Sequence, residues 1–173
     1  MKKLIYFVML IFFSFGLLSA ETFYLYIEES CNEIEGIYLA EAREGIFSEI
    51  FDFGHIIFDN VADDGCGTIL KKRDFSKPLN IALKGGANYL IAVRIDTFTT
   101  IYSGNLNQIE STAIIFLIDV ETSELIYNDK LMIDNKGKET EITKEQLGFE
   151  LGGIIAREIE QAYNNIYQSR TLN

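Results

Sequence analysis

The strongest constraint on the fold is the apolar periodicity of Leu147–Ile166, where apolar side chains recur at spacings of three and four. This is the period of one face of an α-helix, and the segment Thr143–Gln146 just before it has the form of a capping box. The residues predict a helix of about six turns whose apolar face must pack on another layer. Gly148, Gly152 and Gly153 predict a close approach to a sheet.

The residues before that helix alternate between strand and helix signals. The predicted strands are Thr22–Ile27, His55–Asp59, Tyr89–Ile95 (with an extension through Thr97–Tyr102 left open), Thr112–Val120 and Glu124–Ile133. The predicted helices before the last one are Ile34–Phe51 and Ser76–Lys84. The order is therefore β-α-β-α-β-β-β-α. A β-α-β start implies parallel strands and a later hairpin implies antiparallel ones, so we predict an α/β (α+β) fold with a single mixed sheet of about five strands and packed helices.

Polar residues and glycines mark the predicted breaks. We interpret Glu28–Asn32 as a polar turn, Val61–Thr68 as a loop and Ser103–Gln108 as a polar break. A tight turn at Glu121–Ser123 joins the last two strands as a hairpin.

The two early helices carry their own signals. In the first helix, Ile37, Ala40, Phe47 and Phe51 fall on one side, and the apolar face is widened by Leu39, Ile46 and Ile50. The second helix has the sequence SKPLNIALKGG over residues 76–86, in which Ser76 is the expected N-terminal cap and Gly85-Gly86 the expected end.

The N-terminus has the features of a secretory signal peptide. Lys2 and Lys3 precede the apolar run Leu4–Leu18, and a small residue, Ala20, stands before Glu21. The alternative is a retained membrane anchor, but 15 residues at about 1.5 Å rise span about 22 Å, less than the roughly 30 Å hydrocarbon core. We therefore predict that residues 1–20 are a signal peptide and that residues 21–173 form a single α/β domain. This predicts a periplasmic or secreted protein with no stable membrane span after cleavage.

Charge limits the classes of partner. The chain has 15 basic and 26 acidic side chains, and the leader holds two of the lysines, so the processed chain carries 13 basic against 26 acidic residues. This balance argues against binding nucleic acid, whose phosphates require Lys and Arg, and against electrostatic docking to anionic lipid.

The chain has two cysteines, Cys31 and Cys66. Cys31 follows the first predicted strand and Cys66 lies in the loop after the second, so parallel strands would place both at one edge of the sheet. In an oxidising compartment we predict a disulfide between them, worth about 3–4 kcal/mol. The alternative is two thiols that never meet.

No catalytic or cofactor machinery is recognisable in the sequence, so we predict no catalytic, cofactor-binding or metal-binding residues and no enzyme activity. The single histidine, His55, cannot form a metal cluster, and we expect a structural or edge role for it. The acidic residues expected near one sheet edge are interpreted as solvated loop acids, with a calcium site and a catalytic pair as alternatives. These residues are Glu28, Glu29, Asp59, Asp63 and Asp64.

The first strand is apolar on both faces, with the sequence FYLYI over residues 23–27. A central strand buried on both sides explains this pattern. A partner-binding strand at the edge of the sheet is the alternative.

Two segments resemble a known domain. Ile81–Val93 (IALKGGANYLIAV) has a helix end, a Gly-Ala-Asn-Tyr-Leu turn and a buried strand, and Phe116–Tyr127 (FLIDVETSELIY) has an Asp-x-x-Thr-x-Glu hairpin. With the closing helix they resemble the α/β domain shared by the curli-secretion lipoprotein CsgG, the penicillin-binding-protein activator LpoB and the N-terminal domain of TolB. The likeness follows the element order over residues 34–167. It implies a non-enzymatic envelope domain that binds or positions other proteins. This chain lacks the lipid-attachment cysteine after its leader, so lipid anchoring is not implied.

The sequence therefore favours an exported cell-envelope module that binds or assembles with envelope proteins of unknown identity. Two alternatives stay open. One is a small hydrolase that uses two carboxylates on an envelope polymer, and the other is a carrier of a small ligand in an apolar cavity.

Overall fold

The computed structural model describes residues 20–29, 39–60, 69–101, 107–134 and 144–171. The described residues contain five strands, namely β1 (Thr22–Glu29), β2 (Ile56–Asp59), β3 (Tyr89–Ile101), β4 (Asn107–Asp119) and β5 (Leu125–Asp134). They contain three α-helices, namely α1 (Leu39–Asp52), α2 (Ser76–Gly85) and α3 (Lys144–Thr171), and a 3-10 turn at Leu70–Lys72. The element order matches the prediction.

The strands form one mixed sheet in the order β2-β1-β3-β4-β5. β1 runs parallel to both β2 and β3, whereas β3–β4 and β4–β5 are antiparallel pairs. The predicted mixed sheet of five strands is therefore confirmed. β1 lies inside the sheet, with residues 23–28 buried on both faces, so the central-strand interpretation is confirmed and the edge-strand alternative is wrong.

Helices cover both faces of this sheet. α1 and α3 pack on the face that carries Phe23, Leu25, Ile91 and Leu117, which we call the two-helix face. α2 and the 3-10 turn cover the other face, where Tyr24, Tyr26, Leu90, Phe116 and their neighbours form a second core. The alternation of side chains along each strand sends successive residues to these two cores.

The apolar side of α1 agrees with the prediction only in part. Ala42, Ile46 and Ile50 are buried, whereas Ala40 is exposed and Phe51 is 72% exposed. The prediction is wrong for Ala40 and Phe51 but right for Ile46 and Ile50, while Leu39 and Phe47 are partly buried against the core. Ile37 lies outside the described residues. The buried side is the one that faces α3 and the sheet.

The glycines of α3 approach a helix rather than the sheet. A Cβ added at Gly152 would overlap the carbonyl oxygen of Ala42 and lie 2.9 Å from the backbone nitrogen of Ile46 in α1. A Cβ added at Gly45 would overlap the carbonyl oxygen of Phe149. The predicted close approach is present, but its partner is α1, because paired glycines let two helix backbones meet.

Several element boundaries also differ from the prediction. Glu28 and Glu29 belong to β1 and not to a turn. β3 extends to Ile101, as the open extension allowed, and β4 begins at Asn107, five residues before the predicted start. Asn107 pairs with Ile101, so residues 107–111, which are polar except for Ile109, are held in β4 by the ladder of hydrogen bonds with β3.

The start of α2 is capped differently from the prediction. Ser76 is the first helical residue, and its N–H and hydroxyl both donate to the Asp74 carboxylate, at 3.1 and 2.5 Å. These bonds lower the pKa of Asp74. The C-terminal prediction is confirmed, because α2 ends at Gly85 and Gly86 adopts a left-handed conformation with φ +76°.

Candidate functional site

One end of the sheet gathers polar and aromatic residues from every layer. It is the end where β1, β2 and β3 begin and where β4 ends, and we call it the β1-start end. Glu21 precedes β1, His55 precedes β2, Asn88 precedes β3 and Asp119 ends β4.

Asn88 ties three elements together at this end. Its side-chain oxygen accepts the N–H of Thr22 at 2.9 Å, and its own N–H donates to the Thr22 carbonyl at 2.7 Å. Its carbonyl accepts the N–H of Val120 at 2.9 Å. The Asn of the Gly-Ala-Asn-Tyr-Leu segment therefore fixes the start of β1 and the turn after β4.

The hairpin turn after β4 is held by its own side chains. The Asp119 carboxylate accepts the N–H of Thr122 at 2.9 Å, and the Thr122 hydroxyl accepts the N–H of Glu124 at 3.3 Å. Ser123 has a positive φ of 59°. The Asp-x-x-Thr-x-Glu pattern thus encodes the shape of this turn.

A cleft of about 430 Å³ opens between these residues. It is lined by Glu21, Leu83, Gly86, Ala87, Asn88, Tyr89, Asp119, Val120 and Glu121. Asp119 already holds the turn, and Glu21 accepts the Tyr163 hydroxyl at 3.3 Å. Two of the three carboxylates are therefore engaged within the fold, which counts against a hydrolytic carboxylate pair. The acidic lining suits a basic group better than an apolar ligand.

His55 is buried beside the cleft, with a side chain only 4% exposed. Its Nε2 lies 3.0 Å from Oε2 of Glu160, and its Nδ1 accepts the backbone N–H of Glu21 at 3.3 Å. Its ring packs edge-on against Phe23 and Tyr163, at 5.2 and 5.4 Å between centroids. These contacts agree with the structural role expected for this histidine.

Tyr163 of α3 joins the histidine to the aromatic residues of the sheet. Its ring contacts Phe23, Tyr89 and Tyr167 at centroid distances of 5.5 to 6.1 Å. Burial, and then the charge of Glu21, raises the pKa of Tyr163 well above its usual range. The tyrosine therefore stays a neutral hydrogen-bond donor to Glu21.

Exposed apolar side chains concentrate at the same end. Among the described residues, seven large apolar side chains are markedly exposed, and five of them belong to the β1-start end. Phe51 lies in the last turn of α1, Ile56 is the first residue of β2 and Leu125 is the first residue of β5. Leu83 lines the cleft, and the ring of Tyr167 contacts that of Tyr163. Met132 and Phe149 are the two that lie elsewhere.

The opposite end of β1 holds a buried ion pair that the sequence did not reveal. Glu28 is 1% exposed, and its Oε1 accepts Nη1 of Arg94 at 3.1 Å and the N–H of Leu70 at 3.0 Å. Arg94 also lies 3.1 Å from Asp96. The interpretation of Glu28 as a solvated turn acid is therefore wrong, because the strand continues through it and buries its side chain.

The acids expected to gather at that edge are separated by the sheet. Asp59 pairs with Arg43 of α1 at 2.9 Å on the two-helix face, whereas Glu28 lies on the other face. Burial raises the pKa of Glu29, while Asp63 and Asp64 lie outside the described residues. Within the described ranges, no group of three or more His, Cys, Asp or Glu side chains is placed to hold a metal ion.

Cys31 and Cys66 both lie outside the described residues. The parallel pairing of β1 and β2, on which the predicted disulfide depends, is present. The disulfide itself stays a prediction. In the part of the chain that the structure describes, none of the helices has the length and apolar character needed to span a membrane.

Comparison with known proteins shows which fold this is. No protein-family model and no curated protein matches the chain. Among solved structures, the PelC dodecamer from Paraburkholderia phytofirmans matches with a TM-score of 0.56 and 11% identity, over 78% of this chain and 83% of that one. Lipoprotein GNA1162 from Neisseria meningitidis matches with a TM-score of 0.50 and 11% identity, over 82% of this chain and 99% of that one.

Two of the three proteins named by the sequence resemblance, LpoB and TolB, are also among the matches. The LpoB C-terminal domain from Salmonella enterica matches at a TM-score of 0.45 and 18% identity, over 68% of this chain and 85% of that domain. TolB from Acinetobacter baumannii is matched as well, over 85% of this chain and 29% of TolB. At these identities, the likeness to PelC and GNA1162 shows that the chain shares their fold.

Proposed function

We propose that this chain is an exported, non-enzymatic protein of a bacterial cell envelope that binds other proteins through the β1-start end. The observation that carries the proposal is that five exposed apolar side chains lie at the end of the sheet that also holds an acidic cleft, which one of them, Leu83, lines. Scattered apolar residues are ordinary on a protein surface, but their gathering at one end is typical of an interaction site.

The chemistry of this end indicates what the partner presents. Apolar and aromatic anchors form the centre of most protein interfaces, and charged groups fix the register of the two partners. Glu21, Asp119 and Glu121 line the cleft, so a Lys or Arg side chain of the partner would complement it. The excess of acidic over basic residues in the whole chain would also speed the approach of a basic partner.

The fold neighbours support the envelope setting. GNA1162 is a lipoprotein by name, and PelC is named as a dodecamer, so proteins with this fold include one with a lipid anchor and one that assembles with itself. In this chain, residues 1–20 would act as a signal peptide, and residues 21–173 would be the working domain in the periplasm or outside the cell. A second copy of the chain is therefore one partner to look for.

The test is capture of partners from crosslinked envelopes with two matched pairs of variants. Leu125→Asp and Met132→Asp both replace an exposed apolar residue of β5, but only Leu125 lies at the β1-start end. Tyr167→Asp and Phe149→Asp form the same kind of pair on α3. Thermal melts establish that each variant folds.

We expect the wild type, Met132→Asp and Phe149→Asp to recover the same envelope protein, and Leu125→Asp and Tyr167→Asp to lose it. Equal recovery by all folded variants would show that the β1-start end is not the interface. An empty capture with folded wild-type protein would count against the binding function itself.

A further inference from the structure

Glu21 is held at three points although it precedes the first strand. Its N–H donates to Nδ1 of His55 at 3.3 Å, and its carbonyl accepts the N–H of Ile56 at 2.9 Å. Its carboxylate accepts the hydroxyl of Tyr163 at 3.3 Å. The residue before it, Ala20, is exposed. Among the described residues, which start at Ala20, Glu21 is thus held by the fold, and it is the residue that follows the predicted cleavage point.

His55 is oriented to accept a hydrogen bond from the backbone nitrogen of Glu21. The Glu160 carboxylate is an acceptor, so Nε2 of His55 carries the hydrogen that bridges their 3.0 Å separation. Nδ1 then presents its lone pair to the nitrogen of Glu21. With the ring buried, its two nitrogens are occupied from opposite sides.

We infer that the nitrogen of Glu21 is the α-amino group of the processed protein and that His55, backed by Glu160, is its binding site. This inference rests on the export and cleavage in the proposed function, but not on the binding of a partner. In the cleavage, water adds across the Ala20–Glu21 peptide bond. The C–N bond breaks, the hydroxyl of the water joins the Ala20 carbonyl, and its remaining hydrogen joins the Glu21 nitrogen. The resulting amine then takes up the proton that the new carboxyl group releases.

Cleavage changes the charge at this end of the sheet. A neutral amide with one N–H becomes an ammonium group with three, at a nitrogen that already faces His55. Titratable groups face this nitrogen from several elements. His55 precedes β2, Tyr89 belongs to β3, and Glu160 and Tyr163 belong to α3. The cleft adds the carboxylates of Glu21, Asp119 and Glu121. The carboxylates among them favour a cation there, and a charge-assisted bond to His55 is stronger than the amide bond it replaces.

The test begins with the full chain, leader included, expressed in a Gram-negative host and purified from the periplasm. Intact mass shows the first residue, which we expect to be Glu21. A pulse of an acetylating ester at neutral pH then labels free amines, and mass spectrometry of the peptide that begins at Glu21 gives the labelling rate. We expect labelling about tenfold slower in the native protein than in denaturing urea, because a charge-assisted hydrogen bond must open first.

Variants separate the amine site from general stability. His55→Phe keeps an aromatic ring but removes the acceptor, so labelling should approach the rate in urea. Glu160→Gln should raise the rate less, because the amide still accepts from Nε2 but lacks the charge. Glu158→Gln is the matched control on the same helix, where Glu158 contacts Tyr127 at 3.5 Å, and it should leave the rate unchanged. Should His55→Phe fail to fold, the comparison of Glu160→Gln with Glu158→Gln carries the test.

A first residue other than Glu21 would overturn the inference through its cleavage step. A first residue of Glu21 with equal labelling in native and unfolded protein would overturn the amine site alone. Neither result depends on partner capture, so a failure here is distinguishable from a failure of the proposed binding function.

Discussion

The helix crossing at Gly152 allows a sharp prediction of stability. Replacing Gly152 with alanine adds one methyl group whose nearest neighbours are the carbonyl of Ala42 and, at 2.9 Å, the nitrogen of Ile46. Both are backbone atoms of α1, so no flexible side chain can move aside to make room. The two helices must separate or tilt, and the core beneath them must follow.

The magnitude follows from two opposing terms. Overpacking a well-packed contact costs about 1–3 kcal/mol, and replacing glycine with alanine inside a helix returns about 1 kcal/mol at most. Because the added methyl group would overlap or crowd two backbone atoms, we place the cost of overpacking at or above the upper end of that range. Less the gain in helix propensity, we expect the free energy of unfolding to fall by about 2 kcal/mol. For a chain of this length, that corresponds to a fall in melting temperature of roughly 4–8 °C.

Gly153 is the matched control at the next position in the same helix. A Cβ added there first meets the Glu49 carboxylate at 3.3 Å, and that side chain can shift. Gly153→Ala should therefore leave stability unchanged or raise it by up to about 1 kcal/mol, through helix propensity. Urea unfolding of both variants measures the difference. Equal effects of the two alanines, or a more stable Gly152→Ala, would refute the close backbone contact.

Two further predictions concern the buried ion pair and a tyrosine. Arg94→Met should destabilise the protein by about 3–5 kcal/mol, because Glu28 stays buried without its cation. Adding Glu28→Met to that variant should recover most of the lost free energy of unfolding, measured with urea. A double variant that recovers none of it would contradict the pairing. Burial, and then Asp129 and Glu158, raises the pKa of Tyr127 to about 12, above the usual 10.0. The contribution of this tyrosine to stability is therefore complete below about pH 10 and is lost as the pH rises through about 12. In Tyr127→Phe, the free energy of unfolding should fall less between about pH 10 and 12 than in the wild type. An equal fall in the two proteins over that range would contradict this prediction.

Much of the architecture could be predicted because local chemistry and packing agree. The run FYLYI over residues 23–27 is apolar at every position, and only an interior strand buries both of its sides. The hairpin turn was recognisable because Asp119 and Thr122 form its bonds over two or three residues. Helix ends with glycine were also predictable, as the left-handed Gly86 shows.

The misjudged features depend on residues far apart in the chain. Glu28 looks like a turn residue until Arg94, 66 positions later, provides its partner. The glycines of α3 predict a close backbone contact from the sequence alone. Whether that contact is with the sheet or with α1 depends on how the helices cross. The candidate site could not be predicted as a unit, because the exposure of Leu83, Leu125 and Tyr167 is a result of the whole fold.

Photo-crosslinking in living cells tests the proposed interface most directly. A photoreactive amino acid placed at Leu83, which lines the cleft, is compared with one at Met132, which is 64% exposed on β5 away from that end. We expect a discrete covalent adduct with another envelope protein, or with a second copy of this chain, at Leu83 and none at Met132. Adducts at both positions alike, or at Met132 alone, would contradict binding through the β1-start end.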